Sequence, residues 1–242
     1  MTRLRRQWLT LRLLDGLAVE RFFEVGFGAG DLLIALAERG LEGRGVELSE
    51  EAVQVCRRRI EARGLAGRLQ VHQGDLLTLT EVAAYDLAIA FEVLEHIEDD
   101  LGALATLRRV LRPEGYLLMS VPAHMRQWGQ SDVWAGHVRR YERAELHEKL
   151  AASGFLTRRF LSCGFPLMRM TRGVRNLIYA RDVSRGEAAE ERTMRSGVKR
   201  PPLGRALRFL VPAISWLDYQ LQRPFLRSDL GEEYFVLAQR EG

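Results

Sequence analysis

Three observations predict an α/β fold, a doubly wound and mostly parallel sheet with helices on both faces. Short apolar runs alternate with helix-patterned segments from Arg21 to about residue 163, and repeated βαβ units imply a buried parallel sheet with right-handed crossovers. The first run, Phe22-Phe23-Glu24-Val25, passes straight into Gly26-Phe27-Gly28-Ala29-Gly30-Asp31 and a helix. A last strand-like run, Glu233–Gln239, returns after a long departure from the pattern.

In chain order, Val19–Val25 reads as the first strand and Asp31–Arg39 as its helix. Gly43–Leu48 is the second strand. Ser49, a residue type whose oxygen satisfies free N–H groups in a first helical turn, opens a helix over Glu50–Ala62 with Ala52, Val53, Val55, Cys56 and Ile60 as its apolar positions. Leu69–His72 and Tyr85–Phe91 are the third and fourth strands. A helix over Asp99–Leu111 is stopped by Pro113, which lacks the N–H to continue it. Gly115–Pro122 is the fifth strand, Arg143–Ala152 a helix closed by Ser153-Gly154, and Phe155–Leu161 the sixth strand. Ahead of the first strand, Leu4, Trp8, Leu11 and Leu14 are spaced as one face of an amphipathic helix within residues 1–18, over the ligand site or its edge. The expected organisation is that helix, a core of 19–163 plus 229–242, and a basic helical lid over 164–228.

The bulk numbers bound the class. A chain of 242 residues with 47% hydrophobic and 28% charged residues suits one sizeable domain with an appended subdomain. Its net charge of +4 is uneven: residues 156–228 hold 15 Arg and Lys against 5 Asp and Glu, whereas 13–155 hold 16 against 23. No apolar run reaches membrane-spanning length, and the basic start, Met1–Trp8, is followed by no apolar signal core. Cytoplasmic residence is the expectation, with peripheral contact at the inner membrane face as an option. Cys56 and Cys163 lie far apart without metal-site spacing and read as reduced, packed thiols. Only Lys149 and Lys199 among the 36 basic residues are lysine, which we read as the coding bias of a GC-rich bacterial genome.

The glycine turn carries the chemistry. Glycine admits positive φ and leaves no Cβ between backbone and ligand, and the helix N-terminus beyond offers free N–H groups. A dinucleotide fingerprint needs G-x-G-x-x-G, but Asp31 stands in the third glycine's place. The pattern is instead Glu24-x-Gly26-x-Gly28-x-Gly30, which resembles motif I of the class I S-adenosylmethionine-dependent methyltransferases of the small-molecule, Methyltransferase-11/23 type. Glu47 at the end of the second strand and Asp75 after the third follow in the order that family requires. The resemblance implies a Rossmann-like sheet of seven strands in the order 3-2-1-4-5-7-6, strand 7 antiparallel, with a helical lid inserted before the last strand. It implies S-adenosyl-L-methionine as cofactor, with Gly26, Gly28 and Gly30 beside its methionine part and Glu24 anchoring the loop or meeting the amino group. It implies Glu47 on the ribose hydroxyls, Asp75 on the adenine amine, Leu76 beside the ring, and Leu48, Phe91 and Glu92 completing the site. Each carboxylate taken alone reads equally as a helix cap or a solvated group.

Phe91-Glu92-Val93-Leu94-Glu95-His96 resembles the segment after strand 4 in small-molecule members. His96 is a candidate general base or a loop anchor, and in-line methyl transfer requires no metal. Downstream, Asp132 and Gly136-His137-Val138-Arg139-Arg140-Tyr141 resemble a signature of many bacterial members. His137 is the second catalytic candidate, and His124, Trp134, Arg139 and Tyr141 are acceptor-side candidates. The alternative pins Arg140 and Tyr141 to the Asp132 carboxylate. The Asn/Asp-Pro-Pro-Tyr/Phe tetrapeptide of nucleobase amine methyltransferases is absent.

Within the basic segment, Arg185–Arg200 is polar, and Leu203, Leu207, Leu210, Ile214, Leu217 and Leu221 recur at helical spacing, interrupted by Pro212. The stripe 203–221 reads as a lid helix or an interfacial helix for a membrane or lipid-linked acceptor. A nucleic-acid partner would suit the charge but lacks aromatic stacking motifs. The overall expectation is O-methylation of a small-molecule or lipid- or glycan-linked metabolite. The rivals are N- or C-methylation of natural-product type, a non-catalytic binder of the donor, and a nicotinamide oxidoreductase. Oligomeric state is left undetermined.

Overall fold

The computed structural model describes residues 3–183 and 216–242. Strands β1 (Arg21–Val25), β2 (Glu42–Glu47), β3 (Leu69–Gln73), β4 (Tyr85–Phe91), β5 (Leu111–Pro122), β6 (Phe155–Cys163) and β7 (Glu233–Arg240) form one sheet. Its order is β3-β2-β1-β4-β5-β7-β6. The first five strands pair in parallel, and β7 runs antiparallel between β5 and β6. This is the Rossmann-like sheet the glycine motif implied.

Alternation along the central strands explains why both faces are covered. Phe22, Leu87, Ile89 and Leu118 point into one apolar cluster, whereas Phe23, Ala88, Ala90, Leu117 and Met119 point into the other. The first cluster packs helices α2 (Asp31–Ala37) and α3 (Glu50–Glu61) through Leu33, Leu36, Val53 and Ile60. The second packs α4 (Asp100–Val110) through Leu104 and Leu107. Strands buried on both faces read as continuous apolar runs, as β4 does. The caps lie where the residue types placed them: Ser49 accepts from Ala52 N–H at the start of α3, and Asp99 accepts from Gly102 N–H at the start of α4.

Two readings are corrected. Helix α1 (Arg3–Leu14) buries Leu9 and Thr10 and packs Leu11 and Leu14 of the expected stripe against the same cluster, whereas Trp8 stays 40% exposed against the Tyr219 ring at 4.1 Å. Strand β5 begins at Leu111, paired with Tyr85, and the register slips before Tyr116. Pro113, unable to donate, is accommodated by that irregularity. Within the segment expected as a helical lid, Leu167–Val183 is a helix α7 of 17 residues that follows α5 (Gln130–Ala135) and α6 (Arg143–Ala152). Residues 216–222 form helix α8. The polar stretch 185–200 and the stripe positions 203–214 lie outside the described residues. No helix among the described residues is long and apolar enough to cross a membrane. Cys56 and Cys163 are both buried and are not joined in a disulfide.

Candidate active site

The sheet order reverses at β1, between β2 on one side and β4 on the other, and ligands of open α/β sheets bind in the crevice outside the strand ends at such a point. The turn leaving β1 takes positive φ at Gly26 (68°), Gly28 (55°) and Gly30 (75°). A Cβ at Gly26 would meet Val93 Cγ2 at 2.7 Å, and one at Gly30 would collide with Cys56 Sγ. Gly30 also sits at the N-terminal end of α2. Glycine at these positions therefore answers both backbone conformation and close packing.

A cleft of about 800 Å³ opens beside this turn. Glu24, Gly26, Gly28, Glu47, Leu48, Asp75, Leu76, Phe91, Glu92, His96 and His137 line it, which gathers most of the residues expected there. Gly30 shapes the turn without lining the cleft. Glu24 is 5% exposed and its Oε2 has no hydrogen-bond partner. Burial pushes its carboxyl up to about 8, against the opposing pull of Arg6. Glu47 accepts from Gly28 N–H at 2.9 Å and from Ser49 N–H at 3.1 Å; a carboxylate has about four acceptor positions, so two remain for a ligand. Asp75 Oδ1 caps the short turn Leu76–Thr78 through Leu77 N–H at 2.9 Å, and its side chain is exposed. Leu48 and Leu77 line the same end with exposed apolar side chains.

Sequence reasoning missed Arg6, Gln7, Leu77, Val93 and Tyr179, which also line the cleft. Arg6 reaches Glu233 at 3.3 Å and Glu92 at 3.6 Å and lies over the Phe91 ring. Its neighbours come from distant segments, so no local pattern marks it. Glu92 Oε1 also accepts from Ser120 Oγ at 3.0 Å.

The far end of the cleft holds two imidazoles in edge contact, with ring centroids 4.9 Å apart. His96 Nδ1 lies 3.3 Å from Gly136 O. Burial, then the neighbouring His137, lowers its pKa to about 4, so His96 is neutral at neutral pH and a weak base. His137 Nδ1 lies 2.9 Å from Asp132 Oδ1, and its Nε2 lies 3.8 Å from Glu95 Oε1. Asp132 is fully buried, also bonded by Arg140 Nε at 2.8 Å and Gly129 N–H at 2.8 Å. Glu95 is fully buried, and neither carboxylate oxygen has a hydrogen-bond partner. Ligand atoms of Glu95, His96 and His137 lie within 4.8 Å of one another.

The four acceptor-side candidates are placed elsewhere. His124 is 2% exposed, bonded to Glu142 Oε2 and Asp229 O, each at 3.1 Å. Insertion of β7 beside β5 turns this loop toward residues 229–234 and away from the cleft, with the Tyr234 ring 5.5 Å from His124. Tyr141 is fully buried, and its hydroxyl donates to Asp100 Oδ2 at 2.9 Å, where a bond to Asp132 was the expected alternative. Arg139 joins the same carboxylate at 2.9 Å. Trp134 stacks on Tyr179 at 4.8 Å and does not line the cleft. Arg140, by contrast, does bond Asp132.

Residues 23–119, which include the glycine turn, Glu47 and Asp75, match the family model described as a methyltransferase domain. This segment, about two fifths of the chain, is similar to methyltransferase domains of the S-adenosylmethionine-dependent class. The ubiquinone biosynthesis O-methyltransferase of Idiomarina loihiensis is 30% identical over 125 residues, taking in 51% of each chain. The ribosomal protein L11 methyltransferase of Desulfitobacterium hafniense is 34% identical over 117 residues, 48% of this chain and 35% of that one. The chain thus spans about half the length, or less, of these curated relatives. Among solved structures, the cyclase SpnF superposes with a TM-score of 0.65 at 19% identity, over 97% of this chain and 80% of that one. That likeness shows the fold alone.

The methyl donor of this domain class is S-adenosylmethionine, and the residues present fit it. The buried, unpartnered Oε2 of Glu24 suits the amino group, the spare acceptor positions of Glu47 suit a ribose diol, and Leu48 and Leu77 offer apolar cover for a flat ring. Replacing Glu47 by Ala should weaken S-adenosylhomocysteine binding in calorimetry by about 1–3 kcal/mol; unchanged affinity refutes the ribose contact. Because Glu24 holds a proton up to about pH 8 and an ammonium beside it favours the ionised form, binding releases that proton. Affinity for S-adenosylhomocysteine should therefore rise from pH 6 to pH 8, and Glu24→Gln should flatten the slope. A level profile for the unaltered protein counts against the Glu24 contact.

Proposed function

We propose that this chain transfers the methyl group of S-adenosylmethionine to an oxygen of a small molecule, free or linked to a lipid or glycan. The observation that carries this reading is one cleft running from Glu24, Glu47 and Asp75 at the donor end to His96 and His137 at the other. A cleft of about 800 Å³ accommodates a nucleoside-sized donor with a small acceptor in line with its methyl group. An acceptor hydroxyl must lose a proton as its oxygen attacks, and His137, backed by Asp132, is the group poised to promote that loss. His96, with its low pKa and its bond to Gly136 O, serves to hold the loop. The relatives named for O-methylation in ubiquinone biosynthesis support an oxygen acceptor in a small metabolite.

Met170, Val174, Leu177 and Ile178 of α7 are more than half exposed, as are Trp216 and Leu217 of α8. This apolar surface in a basic segment supports peripheral contact with an anionic membrane, where a lipid-linked acceptor would lie.

Cell extract incubated with the protein and isotopically labelled methyl donor should yield a small molecule labelled on oxygen, read by mass spectrometry. Label on nitrogen, carbon or nucleic acid overturns the acceptor class. With that acceptor, His137→Ala should lower kcat by about 10²–10⁴-fold while leaving S-adenosylhomocysteine affinity unchanged. The protein should co-float with anionic liposomes and lose that behaviour in Leu177→Glu; flotation that persists in Leu177→Glu, or none at all, excludes this surface.

A further inference from the structure

We propose that Tyr179 of α7 selects the acceptor, forming with His96 and His137 a slot for a flat aromatic ring that carries the hydroxyl to be methylated; this rests on the methyl-transfer reading above. Tyr179 lines the cleft from the segment between β6 and β7, outside the residues that match the methyltransferase domain. Its ring is backed by Trp134, with centroids 4.8 Å apart and planes tilted by 38°. One helical turn earlier, Asn176 Oδ1 accepts from Ser131 N–H at 3.3 Å. The same amide fills the space beside Gly129, where a Cβ would lie 2.6 Å from its Nδ2. Asn176 and Tyr179 thus form the face of α7 that docks on α5, while Val174, Leu177 and Ile178 occupy the opposite, exposed face. Trp134, expected as an acceptor contact, acts through Tyr179 instead.

Trp134 immediately precedes Ala135, which lines the cleft, and His137 follows on the same wall. Tyr179 therefore stands at the acceptor end with the two imidazoles, whose rings meet edge to face at 4.9 Å and 80°. Val93 and Ile97, on the loop that bears His96, line the cleft with apolar side chains, as Ala135 does. Flat rings with aliphatic cover favour an aromatic guest, held by offset and edge contacts. The base at this end points the same way. His137 Nδ1 faces the Asp132 carboxylate at 2.9 Å, so its proton sits there and Nε2 keeps a lone pair. An imidazole is a weak base. A phenolic hydroxyl, with a pKa of about 10, lies within its reach, whereas an alkyl hydroxyl, close to water at about 15.7, does not. In the step, the phenolic oxygen attacks the donor methyl carbon and the methyl–sulfur bond breaks, its electron pair staying on sulfur. The hydroxyl proton passes to His137 Nε2 and from there to solvent.

The probes are phenol, catechol and naphthol, set against cyclohexanol and cyclohexanediol, with release of S-adenosylhomocysteine and the mass of the product as readouts on the full chain. The protein should methylate an aromatic probe and leave the saturated alcohols unchanged. Tyr179→Ala should raise KM for that probe by about 10-fold or more, with a smaller change in kcat. Its affinity for S-adenosylhomocysteine in calorimetry should stay that of the unaltered protein. Tyr179→Phe, which keeps the ring, should restore the low KM. Comparable turnover of the saturated alcohols overturns the aromatic slot, as does an unmoved KM in Tyr179→Ala or a loss of S-adenosylhomocysteine affinity in that variant. So does the absence of any methylated aromatic probe from protein that binds S-adenosylhomocysteine. Failure of the unaltered protein to bind S-adenosylhomocysteine overturns the donor reading instead.

Discussion

The turn after β1 passes through three residues of positive φ while two other segments press against it. Val93, from the loop after β4, stands where a Cβ of Gly26 would be, and Cys56 of α3 stands where one of Gly30 would be. The carboxylate of Glu47, at the end of β2, accepts from Gly28 N–H and ties the neighbouring strand to the same turn. Backbone conformation at these glycines thus sets the spacing of three strand ends at once. The donor side of the cleft is built from those ends, and rigid strands position a site more sharply than free loops do.

Charge is distributed around that turn with a clear sense. Glu24, Glu47, Asp75, Glu92 and Glu98 line the cleft, faced by Arg6 from the N-terminal helix. Burial opposes the charged form of Glu24, and Arg6 offsets only part of that effect. A wall of this kind favours a ligand bearing positive charge, as a sulfonium donor with a free ammonium does. Helix α1 is accordingly part of the site, although it precedes the first strand and lies outside the segment that matches the methyltransferase domain.

Two buried carboxylates organise the other end. Asp132 gathers His137, Arg140 and the turn at Gly129, while Asp100 gathers Tyr141, Arg139 and Lys149. Of the run His137-Val138-Arg139-Arg140-Tyr141, only the imidazole reaches the cleft; the others hold the loop in place. One stretch of sequence therefore carries one residue facing the chemistry and several that keep it oriented, and the motif does not say which is which.

The strands and most helices were legible because their information is local: short apolar runs, capping oxygens and the glycine spacing act within a few residues. The donor end was legible for the same reason, since Glu24, Glu47 and Asp75 stand at or just beyond the ends of β1, β2 and β3 and the sheet order brings those ends together. The acceptor end was not. Whether His124 or His137 faces the cleft depends on β7 sliding between β5 and β6 and drawing the loop after β5 away, a contact between residues more than a hundred positions apart. Arg6 enters through packing of α1 across the sheet, where its charge acts on Glu233, Glu92 and the buried Glu95. The sequence by itself determined the fold class and the donor chemistry, because both rest on backbone geometry and strand ends. Only the tertiary structure decided which imidazoles and carboxylates meet, because burial and side-chain convergence are properties of long-range packing.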